Sequence, residues 1–224
     1  MKPIFVTGTD TDAGKTFVSV LLLKALNKQN YRTIGFKPIA AGCEWHDGVL
    51  KNADALALQS AASVKLPYEK VNPMSFEPPI APHIAAQLCG QTLSLSQISV
   101  AFDELREVPA DLVLVEGAGG WRLPLSAPSD GDHALYLSDW VAQQKLPVIL
   151  VVGMKLGCLN HALLSYEQIK RDGLEVVGWV ANQMQSDMLH YQENIATLKA
   201  AISEPMLAEV KYQATSLELL SPLL

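Results

Sequence analysis

Cysteine is scarce. The 224 residues include three, Cys43, Cys89 and Cys158. They are far apart and odd in number, so neither a disulfide framework nor a Cys-x-x-Cys pair is expected. So sparse a count fits a reducing compartment, and a cytoplasmic location is expected. Long hydrophobic runs are missing too. None approaches the roughly 18–20 residues that cross a bilayer, and the apolar stretch after Met1-Lys2-Pro3 stops at Gly8, too short for the core of a secretory signal. Positive charge is in deficit: 17 Lys and Arg against 23 Asp and Glu leave a formal net charge of -6. That balance argues against a broad basic face, so neither nucleic acid nor a membrane is expected as a partner. The histidines His46, His83, His133, His161 and His190 show no metal-ligand spacing.

What remains is rich in core-forming residues. Hydrophobic residues make up 49% of the chain and charged ones 18%, the reverse of a disordered composition. A chain of this length buries about 70% of its unfolded surface and needs no covalent staple. Short apolar runs read as strands at Pro3–Thr7, Tyr31–Lys37, Asp111–Glu116, Leu146–Val152, Leu174–Ala181 and Met206–Val210. Helical spacing is visible over 16–27, 53–62, 83–89, 95–105, 134–144, 159–171 and 188–201. A polar, Pro-rich stretch spans 67–82, and a polar loop lies near Pro128–Asp132. Strands alternating with helices predict an α/β fold, a mostly parallel sheet with helices on both faces. Without a compositional break or repeat, residues 1–224 read as one domain.

The strongest local signal is Gly8-Thr9-Asp10-Thr11-Asp12-Ala13-Gly14-Lys15-Thr16, set between a buried strand and a helix. Glycines let successive backbone N–H groups curl around an anion, and the helix N-terminus adds the positive end of its dipole. Lys15 reaches the β- and γ-phosphates and the Thr16 hydroxyl suits Mg2+, as in a phosphate-binding loop. Five residues separate Gly8 from Gly14, one more than the common four. Glu116 ends an apolar strand and is followed by Gly117-Ala118-Gly119-Gly120, placing an acid where a metal–phosphate complex would need one. Asp54 stands in a helix's first turn, a position the dipole alone would favour. Gly157-Cys158-Leu159-Asn160 opens a helix whose free N–H groups suit a carboxylate. Cys43 and Cys158 read as small packing residues, and Trp121 either walls the site or packs.

These segments together resemble the dethiobiotin synthetase family. Val6–Thr11, Gly14-Lys15-Thr16, Gly35-Phe36-Lys37-Pro38, Asn52–Ala55, Pro82-His83, Val113–Gly120, Val151–Gly153, Gly157–His161 and Gly178–Asn182 match in family order. The resemblance implies an ATP-dependent enzyme of biotin synthesis. It takes up CO2 (or bicarbonate) on one nitrogen of 7,8-diaminononanoate, phosphorylates the carbamate and closes a cyclic urea, releasing ADP and phosphate. It implies Lys37 and Lys15 as catalytic lysines, and Thr16, Asp54 and Glu116 as Mg2+ ligands. ATP contacts are implied at Asp12, Ala13, Gly14, Lys15, Thr16, Asp54, Glu116, Gly117, Ala118 and Gly119, with Asn182 at the adenine edge. Substrate contacts are implied at Thr11, Asp12, Ala41 and Gly157–Asn160, the last from the other subunit of a homodimer. Four features depart from the family pattern. Asp12 stands where Glu is frequent, and Ala41 where some members carry Ser. Ala208-Glu209-Val210-Lys211 replaces a Gly-x-Ile/Leu-Pro run, and the loop from Ser126 to Ser138 is longer than expected. Two other readings stay open. A partition-type nucleotide switch usually carries an extra lysine early in its phosphate loop, and positions 9–13 have none. A paralogue could bind nucleotide without making dethiobiotin.

Overall fold

The apolar run behind Met1 forms β1 (Lys2–Gly8) in a computed structural model that describes residues 1–126 and 134–223. The chain then builds α1 (Lys15–Lys28), β2 (Thr33–Phe36), β3 (Ile39–Ala40), β4 (Glu44–His46), β5 (Val49–Lys51), α2 (Ala53–Ala61), α3 (Tyr68–Val71) and β6 (Met74–Ser75). It continues through α4 (Pro82–Leu88), α5 (Leu95–Arg106), β7 (Leu112–Glu116), α6 (Leu137–Gln143), β8 (Val148–Met154), α7 (Cys158–Arg171), β9 (Val176–Gln183), α8 (Tyr191–Ala201) and β10 (Met206–Val210). The polar loop expected at Pro128–Asp132 lies outside the described residues, as does His133.

Six strands pair in parallel in the order β10-β9-β8-β1-β7-β2. Because side chains alternate along a strand, each strand feeds two core layers. Ile4 and Val6 of β1, Leu112 and Leu114 of β7, and Ile149 and Val151 of β8 pack with α1 and α2. Phe5, Val113, Val115, Leu150 and Val152 face the other way, toward α4 through α8. Helices therefore cover both faces, as the alternation of elements predicts.

The chain leaves β1 for β2, returns to β7 beside β1, and then crosses to β8 on β1's other side. Such a reversal opens a crevice at the carboxyl ends of the central strands, where ligands of open α/β sheets bind. Gly8, Glu116 and Met154 end there. Several boundaries differ from the sequence reading. The 67–82 stretch carries α3 and β6, and β6 pairs with β3. The 134–144 helix starts at Leu137 because Leu135 is drawn into an extended pairing with Leu125, whose N–H donates to its carbonyl at 2.7 Å.

Candidate nucleotide and substrate site

The loop from Gly8 to Gly14 leaves β1 and turns into α1. Its shape is fixed by its own backbone and by β8. The Thr9 N–H donates to the Val151 carbonyl at 3.0 Å, and the Gly153 N–H donates to Thr9 Oγ1 at 3.3 Å. Asp10 accepts from the Thr11 N–H at 2.8 Å and pairs with Lys155 at 3.2 Å. The backbone hydrogen bond, then Lys155, holds the Asp10 carboxyl below the usual range. Gly14 caps α1 at φ +82°, and a Cβ there would lie 2.1 Å from the Asn182 amide nitrogen. Only glycine fits that space and that conformation. α1 has no side-chain cap and no acid in its first turn, so the N–H groups of its first turn are free for an anion.

Lys15 is 5% exposed and folds over the loop, donating to the Asp10 carbonyl at 3.0 Å and the Thr11 carbonyl at 3.2 Å. Burial and the nearby Lys37 ammonium push its pKa down to about 8. Thr16 Oγ1 donates to Glu116 Oε1 at 2.7 Å, and Lys37 Nζ donates to the same oxygen at 2.6 Å. Lys37 also pairs with Asp54 Oδ2 at 3.2 Å. Burial is the largest single effect on Lys37 and works against its charge, but Glu116 and Asp54 outweigh it and hold the ammonium above the ordinary lysine value. Glu116 has no exposed surface, and its second oxygen, Oε2, is buried without a hydrogen-bond partner among the described residues. Asp54 is placed by Asn52, whose Oδ1 accepts from the Asp54 and Ala55 N–H groups at the start of α2.

A cavity of 860 Å³ opens over these groups. Thr11, Asp12, Gly14, Lys15, Thr16, Lys37, Ala41, Asp54, Ala118 and Gly119 all line it, so ten of the sequence-derived positions converge. Ala13 is buried in the loop, and Glu116 lies directly beneath, reached through Thr16 and Lys37. Gly117 is tied to β1, its N–H donating to the Val6 carbonyl at 3.0 Å. Asn182 is buried and does not line the cavity; its amide donates to the Ala13 carbonyl at 2.9 Å, bracing the phosphate loop. Gly157–Asn160 do not line the cavity. They begin α7, with Gly157 at φ +91° and Leu156 before it fully exposed. Sequence reasoning missed an apolar wall of Phe17, Pro79, Ile80, Leu123 and Met184. Pro78–Pro82 was the available signal for part of it. Trp121 packs edge-on against Phe5 and donates to Asp172 at 2.7 Å, so it is a packing residue rather than a wall.

The donor set suits a hard divalent cation: the Thr16 hydroxyl and the carboxylates of Asp54 and Glu116, the latter with a buried oxygen that has no partner among the described residues. Among the described residues no three His, Cys, Asp or Glu side chains cluster as a metal cage.

An AAA-domain family model matches residues 2–218. The ATP-dependent dethiobiotin synthetase BioD of Alteromonas mediterranea is 52% identical over 217 residues, covering 95% of this chain and 93% of that protein. The enzyme of the same name from Aeromonas hydrophila is 49% identical over 218 residues, covering 97% and 94%. Among solved structures, the MinC:MinD cell division protein complex of Aquifex aeolicus aligns with a TM-score of 0.56 at 10% identity, over 94% of this chain and 81% of that one. At that identity the likeness shows a shared fold.

Proposed function

The chain belongs to the ATP-dependent dethiobiotin synthetase family, and from that premise we propose how its cavity carries out the reaction. The activity is ATP-dependent ring closure in biotin biosynthesis. One amine of 7,8-diaminononanoate takes up CO2 as a carbamate, and a carbamate oxygen attacks the γ-phosphorus of ATP, releasing ADP. The second amine then attacks the carbamoyl carbon, phosphate leaves, and a cyclic urea remains. Carbamate and γ-phosphate are both anions, so catalysis is positioning and charge stabilisation more than proton transfer.

Lys15 grips the β- and γ-oxygens, exchanging the loop carbonyls it holds now for phosphate. Lys37 stands between carbamate and γ-phosphate. Flanked by two carboxylates, it stays protonated and acts as a fixed charge. The Ala13, Gly14 and Thr16 N–H groups surround the phosphates, and Asn182 serves the adenine edge. Thr11, Asp12 and Ala41 face the amines. Thr16, Asp54 and Glu116 would hold Mg2+, which would supply positive charge against the phosphates. The protein works as a cytoplasmic homodimer in which the start of α7, Gly157–Asn160, serves the substrate carboxylate of the neighbouring subunit.

The observation that carries this reading is the linkage of Thr16, Lys37, Asp54 and Glu116 by hydrogen bonds and an ion pair beneath one cavity that Lys15 also lines. Purified protein given Mg2+, ATP, diaminononanoate and bicarbonate is expected to make dethiobiotin and ADP in equal amounts, followed by mass spectrometry and coupled assay. Folded protein that makes no dethiobiotin would overturn it.

A further inference from the structure

Lys37 lies one residue past the end of β2, where the main sheet no longer holds its backbone. Its N–H donates to the Val71 carbonyl at 2.8 Å, and its carbonyl accepts from Asn72 Nδ2 at 2.6 Å. Asn72 is 2% exposed, so its amide must be satisfied internally, and it is. Its Oδ1 accepts from Tyr68 Oη at 2.8 Å and from Ser75 Oγ at 2.7 Å. Tyr68 Oη in turn accepts from the Asn52 N–H at 2.7 Å. Asn52 then caps α2 through the Asp54 N–H at 3.1 Å, and Asp54 returns to Lys37 Nζ at 3.2 Å. The bonds close a ring: Lys37, Asn72, Tyr68, Asn52, Asp54, Lys37. Asn52 Nδ2 also donates to the Ala41 carbonyl at 3.3 Å, tying the cavity's Ala41 to the same ring.

Lys37, Asn52 and Asn72 are buried, while Tyr68 is half-buried and the Asp54 side chain is 47% exposed; breaking the bonds to Asn72 or to the Asn52 N–H strands a buried polar group, so the linked bonds favour one geometry. What they set here is the separation of a lysine and a carboxylate from different elements. We propose that Tyr68 and Asn72 are positioning residues that set Lys37 against Asp54 for phosphoryl transfer, acting through the backbone and never touching substrate. This assignment rests on the synthetase reading above. The ring meets the phosphate loop at Lys37, whose partner Glu116 Oε1 also accepts from Thr16, while the loop's own shape is held by its ties to β8. Loosening the ring therefore lowers the chemical step more than it weakens nucleotide binding.

Tyr68→Phe tests it with the smallest change, since the ring stays and one hydroxyl goes. Calorimetric titration with an ATP analogue counts competent sites, and turnover is expressed per site. The expected result is a kcat lower by about tenfold, the scale at which supporting hydrogen bonds act, with KM for ATP within about twofold of wild type. Ser75→Ala removes the other bond to Asn72 Oδ1 but leaves the ring closed, and is expected to keep kcat within about twofold. Asn72→Ala opens the ring at its hub and is read only if its site count matches wild type. If wild type makes dethiobiotin and Tyr68→Phe matches its kcat, the assignment falls. It falls equally if KM for ATP rises in step with the loss of kcat, or if Ser75→Ala costs as much as Tyr68→Phe. Wild type that makes no dethiobiotin overturns the reading of function instead.

Discussion

Lys37 keeps a positive charge where there is almost no water. Its side chain is 5% exposed and that of Glu116 is 0% exposed, at a contact of 2.6 Å. Two charges at such a depth are tolerable only as a pair, and removing one partner strands the other. Lys37→Ala is therefore expected to act twice. In the proposed mechanism turnover collapses because the charge beside the carbamate is gone, while ATP affinity changes less, since Lys15 is left to meet the phosphates. Stability also falls, by roughly 3–5 kcal/mol, because Glu116 is left buried and uncompensated. Adding Glu116→Gln to Lys37→Ala should recover most of the lost melting temperature but none of the turnover. Thermal denaturation read beside steady-state kinetics checks both halves, and a double variant no more stable than the single one would contradict the argument.

At the scale of elements, the join between β1 and α1 depends on one conformation. Gly14 sits at φ +82°, and a methyl group there meets the Asn182 amide at 2.1 Å. A left-handed conformation costs a residue with a Cβ about 1–2 kcal/mol before any clash. Gly14→Ala is thus expected to displace Asn182 from the Ala13 carbonyl and weaken ATP binding at least about tenfold, read by titration calorimetry; unchanged affinity would show that the loop tolerates the shift. Elements with strong local signals were legible from the sequence. Buried strands such as Leu112–Glu116 and Val148–Met154 are apolar along their length, and the phosphate loop carries its own glycines. What escaped was stabilised by tertiary contacts. β3 and β6 are two residues each and exist by pairing with each other. α3 is one turn inside a Pro-rich stretch. The β4–β5 hairpin turns at Asp47 and Gly48, both at positive φ, the Asp-Gly signature of a tight turn. Its arms are largely exposed and give no alternation to read. Of the site, Lys15, Thr16, Glu116 and the loop glycines stood out because their motif is local in sequence; Lys37 came only with the family resemblance, and Asp54 by position alone reads as an ordinary first-turn acid. The ring through Tyr68 and Asn72 was not legible, because it is assembled from segments that meet only in three dimensions.

For the molecule as a whole, the start of α7 is where the proposed homodimer can be tested. Gly157 leaves the helix without a side-chain cap, and Leu156 beside it is fully exposed. The segment lies off the subunit's own cavity, yet Lys155 ties it to Asp10 of the phosphate loop. Free helix N–H groups and a positive dipole end suit a carboxylate, and an exposed leucine suits a second protein surface. In the proposed homodimer both are used: Leu156 is covered, and the helix start faces the acid tail of the substrate in the partner's cavity. Leu156→Asp places a charge at the contact and should shift sedimentation toward the monomer. KM for the diamine should then rise about tenfold or more, since a charge-assisted hydrogen bond contributes about 1.5–3 kcal/mol, while ATP affinity, supplied within one subunit, stays near wild type. Dilution should mimic the variant, because a site completed by association loses activity as protomer concentration falls. A wild-type protein that sediments as a monomer at assay concentration with undiminished activity would remove α7 from the substrate site and leave the cavity of a single subunit to bind the whole substrate.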